Sequence, residues 1–209
     1  MKKNLFYLSL VVLPCVFFLI CCETSSKSLP ILGFSDIQNG DTIYHTIPDF
    51  AYVDQNGDTV SQKTVAGKIY VTDFFFTHCP TICPKMAQQM LRLHAKYQSN
   101  KDFLLLSHSI DAKYDTIATL KKYADKLGVG ESHTWHFMHV PADELFDQAK
   151  SYLTAVQKDT MESTGFTHSG HFVLVDGQRH VRSFCDGTKP DEVDKLMKDI
   201  DILLDEKRH

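Results

Sequence analysis

The chain carries no surplus of positive charge: 22 lysines and arginines stand against 26 aspartates and glutamates in 209 residues. Nucleic acid, which is held through clustered basic side chains, is excluded as a partner class. No internal repeat is visible, so solenoids and propellers drop out as well. Thiols are few once the N-terminus is set aside. Beyond residue 22 only Cys79, Cys83 and Cys185 remain. An odd count does not make a disulfide framework, so the fold has to rest on an ordinary apolar core. A composition of 43% apolar and 23% charged residues suits one soluble globular domain of this length.

The other cysteines belong to an N-terminal leader. Lys2 and Lys3 precede an apolar run from Leu5 to Ile20, followed by Cys21, Cys22 and a Ser/Thr-rich stretch. That is the pattern of an export signal. Residues 1–21 resemble a bacterial lipoprotein signal peptide, with Cys22 as the lipidated residue and Cys21 as the alternative. An uncleaved membrane anchor is the other reading, since the run is just long enough to span a bilayer. Either way the folded part is expected on the extracytoplasmic, periplasmic side of a bacterium, anchored to the cell membrane. Loss of Lys2 and Lys3 with the leader leaves 20 basic groups against 26 acidic ones. Residues 22–44 show no steady hydrophobic period and read as a flexible tether, with the folded domain over 45–209.

From residue 45 strands and helices alternate. Ile47-Pro48-Asp49-Phe50 leads into a strand, Asn56-Gly57 is a hairpin turn, and Asp58 to Ser61 returns. Ile69 to Phe76 (I-Y-V-T-D-F-F-F) is β-branched and aromatic, and Phe103 to Ile110 is apolar throughout, as a buried parallel strand is. One helix is predicted after Asp115 as N-cap, with Ile117, Leu120, Ala124 and Leu127 inward. A second starts at Pro141 with Leu145, Phe146, Ala149, Tyr152 and Leu153 inward. A last one follows Thr188 as N-cap and carries Val193, Leu196, Ile200 and Leu203 on one face. Trp135 to Val140 reads as a strand, 155–167 as a long polar loop, and His171 to Asp176 with Val181 to Cys185 as a hairpin. This order predicts an α/β sandwich: a central mixed β-sheet flanked by helices, with an N-terminal β-hairpin.

The chemistry concentrates in Thr77 to Met86, T-H-C-P-T-I-C-P-K-M, where the central strand gives way to a helix. If that helix begins near Cys79, its inward face reads Cys79, Cys83, Met86, Met90, Leu93 and Tyr97, and both sulfurs share it. A helix N-terminus presents unpaired N–H groups and partial positive charge, which favour thiolate over thiol. Thiolates four residues apart can close into a disulfide and reopen, or hold one soft ion, Cu(I) foremost. The neighbouring residues leave both chemistries open, together with a structural disulfide or two buried thiols.

Three blocks, F-F-F-T-H-C-P-T-I-C-P-K-M, S-I-D-A-K-Y-D-T and T-H-S-G-H-F-V-L-V-D, follow one another in an order that resembles the Sco (SenC) family of copper-binding cytochrome c oxidase assembly proteins. That family has a thioredoxin-like fold, and the match spans about residues 47–204. The resemblance implies copper, Cu(I) or Cu(II), held by Cys79, Cys83 and His168. It also implies a membrane-tethered metallochaperone that serves the copper-binding subunit of cytochrome c oxidase or another extracytoplasmic copper or thiol protein. Two thiolates and one imidazole suit Cu(I), and a histidine on a mobile loop would let the site open for transfer. The second reading is an extracytoplasmic thiol-disulfide oxidoreductase in which Cys79 attacks and Cys83 resolves. A thiol peroxidase on the same fold lacks a positioned arginine. Thr81 departs from the acidic residue that many family members carry there. His168-Ser169-Gly170-His171 replaces the cis-proline stretch of thioredoxin-like reductases and shifts weight toward metal.

Other candidates have plainer readings. His78 is placed as a partly exposed neighbour of Cys79, Met90 as core, and Met86 as core or thioether ligand. His136 and His139 have opposite parity on one strand and with His133 make no second site. Cys185 reads as a half-buried free thiol. Asp111 and Asp115 match an acidic pair of the family, with a capping and loop-shaping role implied.

Overall fold

The structure, a computed structural model, describes residues 28–158 and 166–208. The leader expected over 1–21, with Cys21 and Cys22, lies outside the described residues, as does the middle of the 155–167 loop.

The chain begins with an antiparallel hairpin of β1 (Ser35–Gln38) and β2 (Asp41–Tyr44). There follow β3 (Ala51–Asp54), β4 (Thr59–Ser61), the single turn α1 (Gln62–Val65), β5 (Ile69–Phe75), α2 (Cys83–Tyr97), β6 (Phe103–Ser109), α3 (Ile117–Lys126) and β7 (Trp135–His139). The last part contains α4 (Leu145–Ser151), β8 (Val156–Lys158), β9 (Phe166–His168), β10 (His171–Val175), β11 (Val181–Asp186) and α5 (Pro190–Glu206). Seven strands form one sheet in the order β11-β10-β5-β6-β7-β3-β4. β5, β6 and β7 are parallel, and antiparallel pairs extend the sheet on both sides. This is the expected thioredoxin-like sandwich with its mixed sheet; the hairpin expected around Asn56-Gly57 is β3–β4, and β1–β2 is a further one ahead of it.

β5 and β6 are buried at every residue, which is why they read as unbroken apolar runs rather than alternating ones. The helices cover them with stripes at helical spacing: Met86, Met90, Leu93 and Tyr97 from α2, Leu120 and Ala124 from α3, Val193, Leu196 and Ile200 from α5. Parallel pairing brings the carboxyl ends of β5, β6 and β7 to one pole. The turn that carries the cysteines leaves the sheet there.

Several local expectations change. The stretch 22–44, expected as a tether, is structured from residue 28 onward. Leu32 N–H donates to Val181 O at 2.8 Å, and the Arg182 guanidinium holds the carbonyls of Leu29 and Pro30 at 2.5 and 3.1 Å. Asn39 and Gly40, at φ 55° and 89°, make the two-residue turn of β1–β2, an Asn-Gly signal set in a stretch whose apolar residues fall on both faces and so show no alternation. The Thr116 hydroxyl, not Asp115, caps α3 by accepting from Thr119 N–H, which leaves Asp115 for another task. Lys189, not Thr188, is the N-cap of α5, because the Thr188 hydroxyl donates to the Asp186 carboxylate at 2.6 Å. Phe146 and Leu153 are each 37% exposed rather than inward; α4 ends at Ser151, and Leu153 turns out at φ 56°.

Candidate metal centre

β5 hands the chain to α2 through a turn, and α2 starts at Cys83 rather than near Cys79. A start at Cys79 would place Pro84 inside the helix, where its missing N–H breaks a backbone bond. A start at Cys83 keeps Pro84 in the first turn, where none is needed. The two sulfurs therefore do not share a helix face. Instead the turn folds back, and because the N-cap Ile82 offers no side-chain oxygen, the Cys79 sulfur sits where a cap would. The Thr81 and Cys83 N–H groups, the Cys83 thiol and the Thr81 hydroxyl at 3.6 Å all bond to it.

Burial opposes ionisation of Cys79, but these bonds outweigh it and its pKa falls below the ordinary thiol value. Cys83 moves the other way. Burial first, then its bond to Cys79 and repulsion from Cys79 and Asp73, push it well above the usual range. The two thiols are unequal, Cys79 the more acidic and Cys83 the less. Cys79 is also the more accessible, 9% exposed against 3% for Cys83.

His168 arrives from far along the chain as the last residue of β9, where it pairs with Val156 of β8. It is thus a strand residue only 9% exposed, not the mobile-loop residue expected; backbone pairing and burial hold it in place. Its Nδ1–H donates to Ser169 O at 3.2 Å, so Nε2 presents a lone pair to the Cys83 sulfur at 3.6 Å. Burial holds the imidazole pKa below its usual value against the pull of the Ser169 carbonyl, which favours the neutral, ligating form. The ligand atoms of Cys79, Cys83 and His168 lie within 4.8 Å of one another, and among the described residues no other such cluster of His, Cys, Asp and Glu occurs. Two sulfurs and one imidazole nitrogen form a donor set for a soft ion.

Fully buried Asp115 ties this turn to the end of β6. It accepts from the Thr77 N–H and hydroxyl at 3.1 and 2.5 Å and from the Ser109 hydroxyl at 2.6 Å. That is loop-shaping without capping. His78 packs on Tyr114 at 4.2 Å, with Nε2 3.7 Å from Asp111, and stays out of the cluster. Met90 is core, and buried Met86 directs its sulfur toward Gly170. His136 bonds Asp54 and His139 bonds the Asp115 carbonyl, while His133 is exposed. Cys185 is a free thiol more deeply buried than expected, and burial pushes its pKa up to about 12.

Sequence reasoning passes over Asp73, whose signal is a lone charge inside an apolar strand. Burial raises its pKa to about 7 against a 2.6 Å hydrogen bond from the Ser107 hydroxyl, and it lines one small cavity with Cys83. On the other side, Cys79 and Cys83 border a cleft of about 300 Å³ with Phe76, Leu91, Tyr123 and Leu127.

Known proteins resemble this chain in sequence and fold. The SCO1/SenC family model matches residues 39–205. The SCO1 protein homolog of Bacillus subtilis (strain 168) is 28% identical over 163 residues, which cover 77% of this chain and 83% of that one. Among solved structures, BsSco, a member of the Sco family of cytochrome c oxidase assembly proteins with an identified disulfide switch, is 26% identical. It has a TM-score of 0.66 over 76% of this chain and 93% of that one. Arabidopsis thaliana ScoI with copper bound has a TM-score of 0.60 at 22% identity, over 78% and 98% of the two chains, a likeness of fold.

Proposed function

Because the chain belongs to the SCO1/SenC family, we propose that it is a membrane-tethered, extracytoplasmic copper metallochaperone for the copper centre of cytochrome c oxidase. The observation that carries the reading is the convergence of Cys79, Cys83 and His168 within 4.8 Å. Copper is cargo in this scheme. Two sulfurs and a neutral imidazole suit Cu(I), and the same nitrogen with charged sulfur also accommodates Cu(II). Cys79 offers the first thiolate, and Cys83 gives up its proton as metal enters, so loading releases protons and strengthens as pH rises. A disulfide between the two cysteines would remove both sulfur ligands, which makes loading conditional on the reduced state. The tether is read from the leader, with Cys22 as the lipidated residue.

The unequal thiols favour one second reading. An accessible, acidic Cys79 beside a buried, basic Cys83 is also the arrangement of a dithiol that attacks with one sulfur and resolves with the other. Such an exchange would keep a client's copper-ligand cysteines reduced. One experiment separates the two. Reduced protein and a His168→Ala variant are titrated with copper while the sulfur-to-Cu(II) charge-transfer band and the EPR signal are followed. A one-to-one site that the variant loses supports the metallochaperone. Absence of a stoichiometric site for Cu(I) and Cu(II), with intact reduction of a test disulfide, replaces it by the oxidoreductase.

A further inference from the structure

The pole opposite the metal centre carries a ribbon whose apolar side chains the domain leaves uncovered. Every residue of β1 and β2 is exposed. Phe34, Ile37, Ile43 and Tyr44 are 80, 74, 48 and 45% exposed. The pairing of Ser35 with Tyr44 and Asp36 with Ile43 puts Ile37 and Tyr44 on one face of the ribbon and Phe34 and Ile43 on the other. Both faces thus carry large apolar side chains, and a two-stranded ribbon has no core of its own to bury them. The ribbon is held at its base. Phe34 O accepts from His45 N–H at 2.9 Å, His45 Nε2 bonds Ser151 O at 2.6 Å, and the Tyr44 ring meets His180 edge-on at 6.1 Å.

Register places this base relative to the sulfurs. His180 lies in the turn between β10 and β11, and at that end Val175 pairs with Tyr70 near the start of β5. Cys79 follows the other end of β5. Seven residues of strand separate the two poles by about 23 Å. The chain enters the domain at the ribbon's pole too. Arg182, paired with Asp176 at 2.8 Å and Glu206 at 3.3 Å, clamps the carbonyls of Leu29 and Pro30. From Cys22 to Leu29 a fully extended chain reaches at most about 25 Å. A lipidated Cys22 therefore keeps this pole next to the bilayer.

We propose that the β1–β2 ribbon is a membrane-contact element: Phe34, Ile37, Ile43 and Tyr44 rest in the headgroup region and turn the metal centre away from the bilayer, toward its partners. The inference rests on the tethered reading above and adds an orientation to it. Aromatic and aliphatic side chains of this kind settle at that interface. Asp36 and Asp41 are the only charged groups of the ribbon, so contact is apolar, shallow and suited to zwitterionic lipid.

The test uses the full chain, with its lipid, in phosphatidylcholine vesicles whose acyl chains are brominated. Ile37→Trp and, near the metal centre, Tyr114→Trp supply reporters; the wild type, whose only tryptophan Trp135 is buried, supplies the blank. Flotation reports the tether and quenching reports the ribbon. Expected are flotation of all three proteins, at least twofold quenching of the reporter at 37, and none at 114. Flotation without quenching at 37 overturns the ribbon proposal and leaves the tether standing. Absence of flotation overturns both. A blue-shifted, unquenched reporter at 37 that reverts on dilution assigns the surface to a second copy of the chain and also overturns the proposal.

Discussion

The Nε2 atom of His168 lies 3.6 Å from the sulfur of Cys83, although 85 residues separate them in the chain. The link depends on backbone pairing, because His168 is positioned opposite Val156 in the two-stranded β8–β9 sheet. Ser169 N–H donates to Ala155 O at 3.1 Å, so Val156 and His168 are a non-hydrogen-bonded pair and Gln157 and Thr167 the bonded one. Gln157→Pro removes a backbone donor from that pairing. Copper affinity should fall at least about tenfold, a loss of about 1.4 kcal/mol, while Cys79 alkylation keeps its rate. Copper titration beside timed alkylation checks both halves. An unchanged affinity would show that β8 does not position the histidine.

The Thr81 hydroxyl is one of the groups that lower the Cys79 pKa. Thr81→Val keeps the shape and removes that bond, so the Cys79 pKa should rise toward the ordinary thiol value, and alkylation at neutral pH should slow about threefold, in line with one weak sulfur hydrogen bond. Titration of the thiolate's ultraviolet absorbance measures it directly. Cys83, governed first by burial, should not move.

Asp115 satisfies three donors on two segments while fully buried. Asp115→Ala leaves the Thr77 N–H and the Ser109 hydroxyl without their acceptor and should cost about 2–4 kcal/mol of stability. Urea unfolding of the reduced protein tests the size of the loss. Copper affinity should weaken as well, since Thr77 anchors the turn that carries Cys79.

A pH effect on stability originates on the opposite face of the sheet, at His108. The Thr72 hydroxyl donates to Leu106 O at 2.8 Å, so it accepts from His108 Nδ1–H, also at 2.8 Å. That leaves Nε2 buried without a partner beside Phe74, whose ring stacks at 4.9 Å. Burial, against a weaker pull from the Asp73 backbone, depresses the imidazole pKa to about 3. The unfolded chain takes up this proton near pH 6.5, its usual value, so between those limits it binds more protons than the fold. The stabilisation is complete above pH 6.5 and is lost on acidification, by up to about 1.4 kcal/mol per pH unit. His108→Phe should flatten this acid limb, and denaturant midpoints measured from pH 7 downward will show whether it does.

Much of the site was readable one residue type at a time. The cysteine pair at a strand-to-helix junction and the buried parallel strands follow from spacing and periodicity, which are local and survive in a linear text, whereas His168 came only with the family resemblance. The exact helix start was less accessible: the same apolar spacing fits a helix from Cys79 or from Cys83, and only the place available to Pro84 decides between them. The β1–β2 ribbon carried its Asn-Gly turn openly, but its apolar residues fall on both faces and no alternation marked it as structure.

By itself the sequence determined the α/β order and the thiol pair at the end of the central strand, because each is a property of neighbours along the chain. Tertiary structure alone decided which thiol is the more acidic, that Asp115 braces the turn rather than caps a helix, and that His168 is a buried strand residue aimed at Cys83. It also decided that Arg182 docks the entering chain at the pole away from the sulfurs. Each of these depends on groups tens of residues apart that meet only when the sheet closes. Their hydrogen bonds and burial, and so their charge states, come into being at that moment.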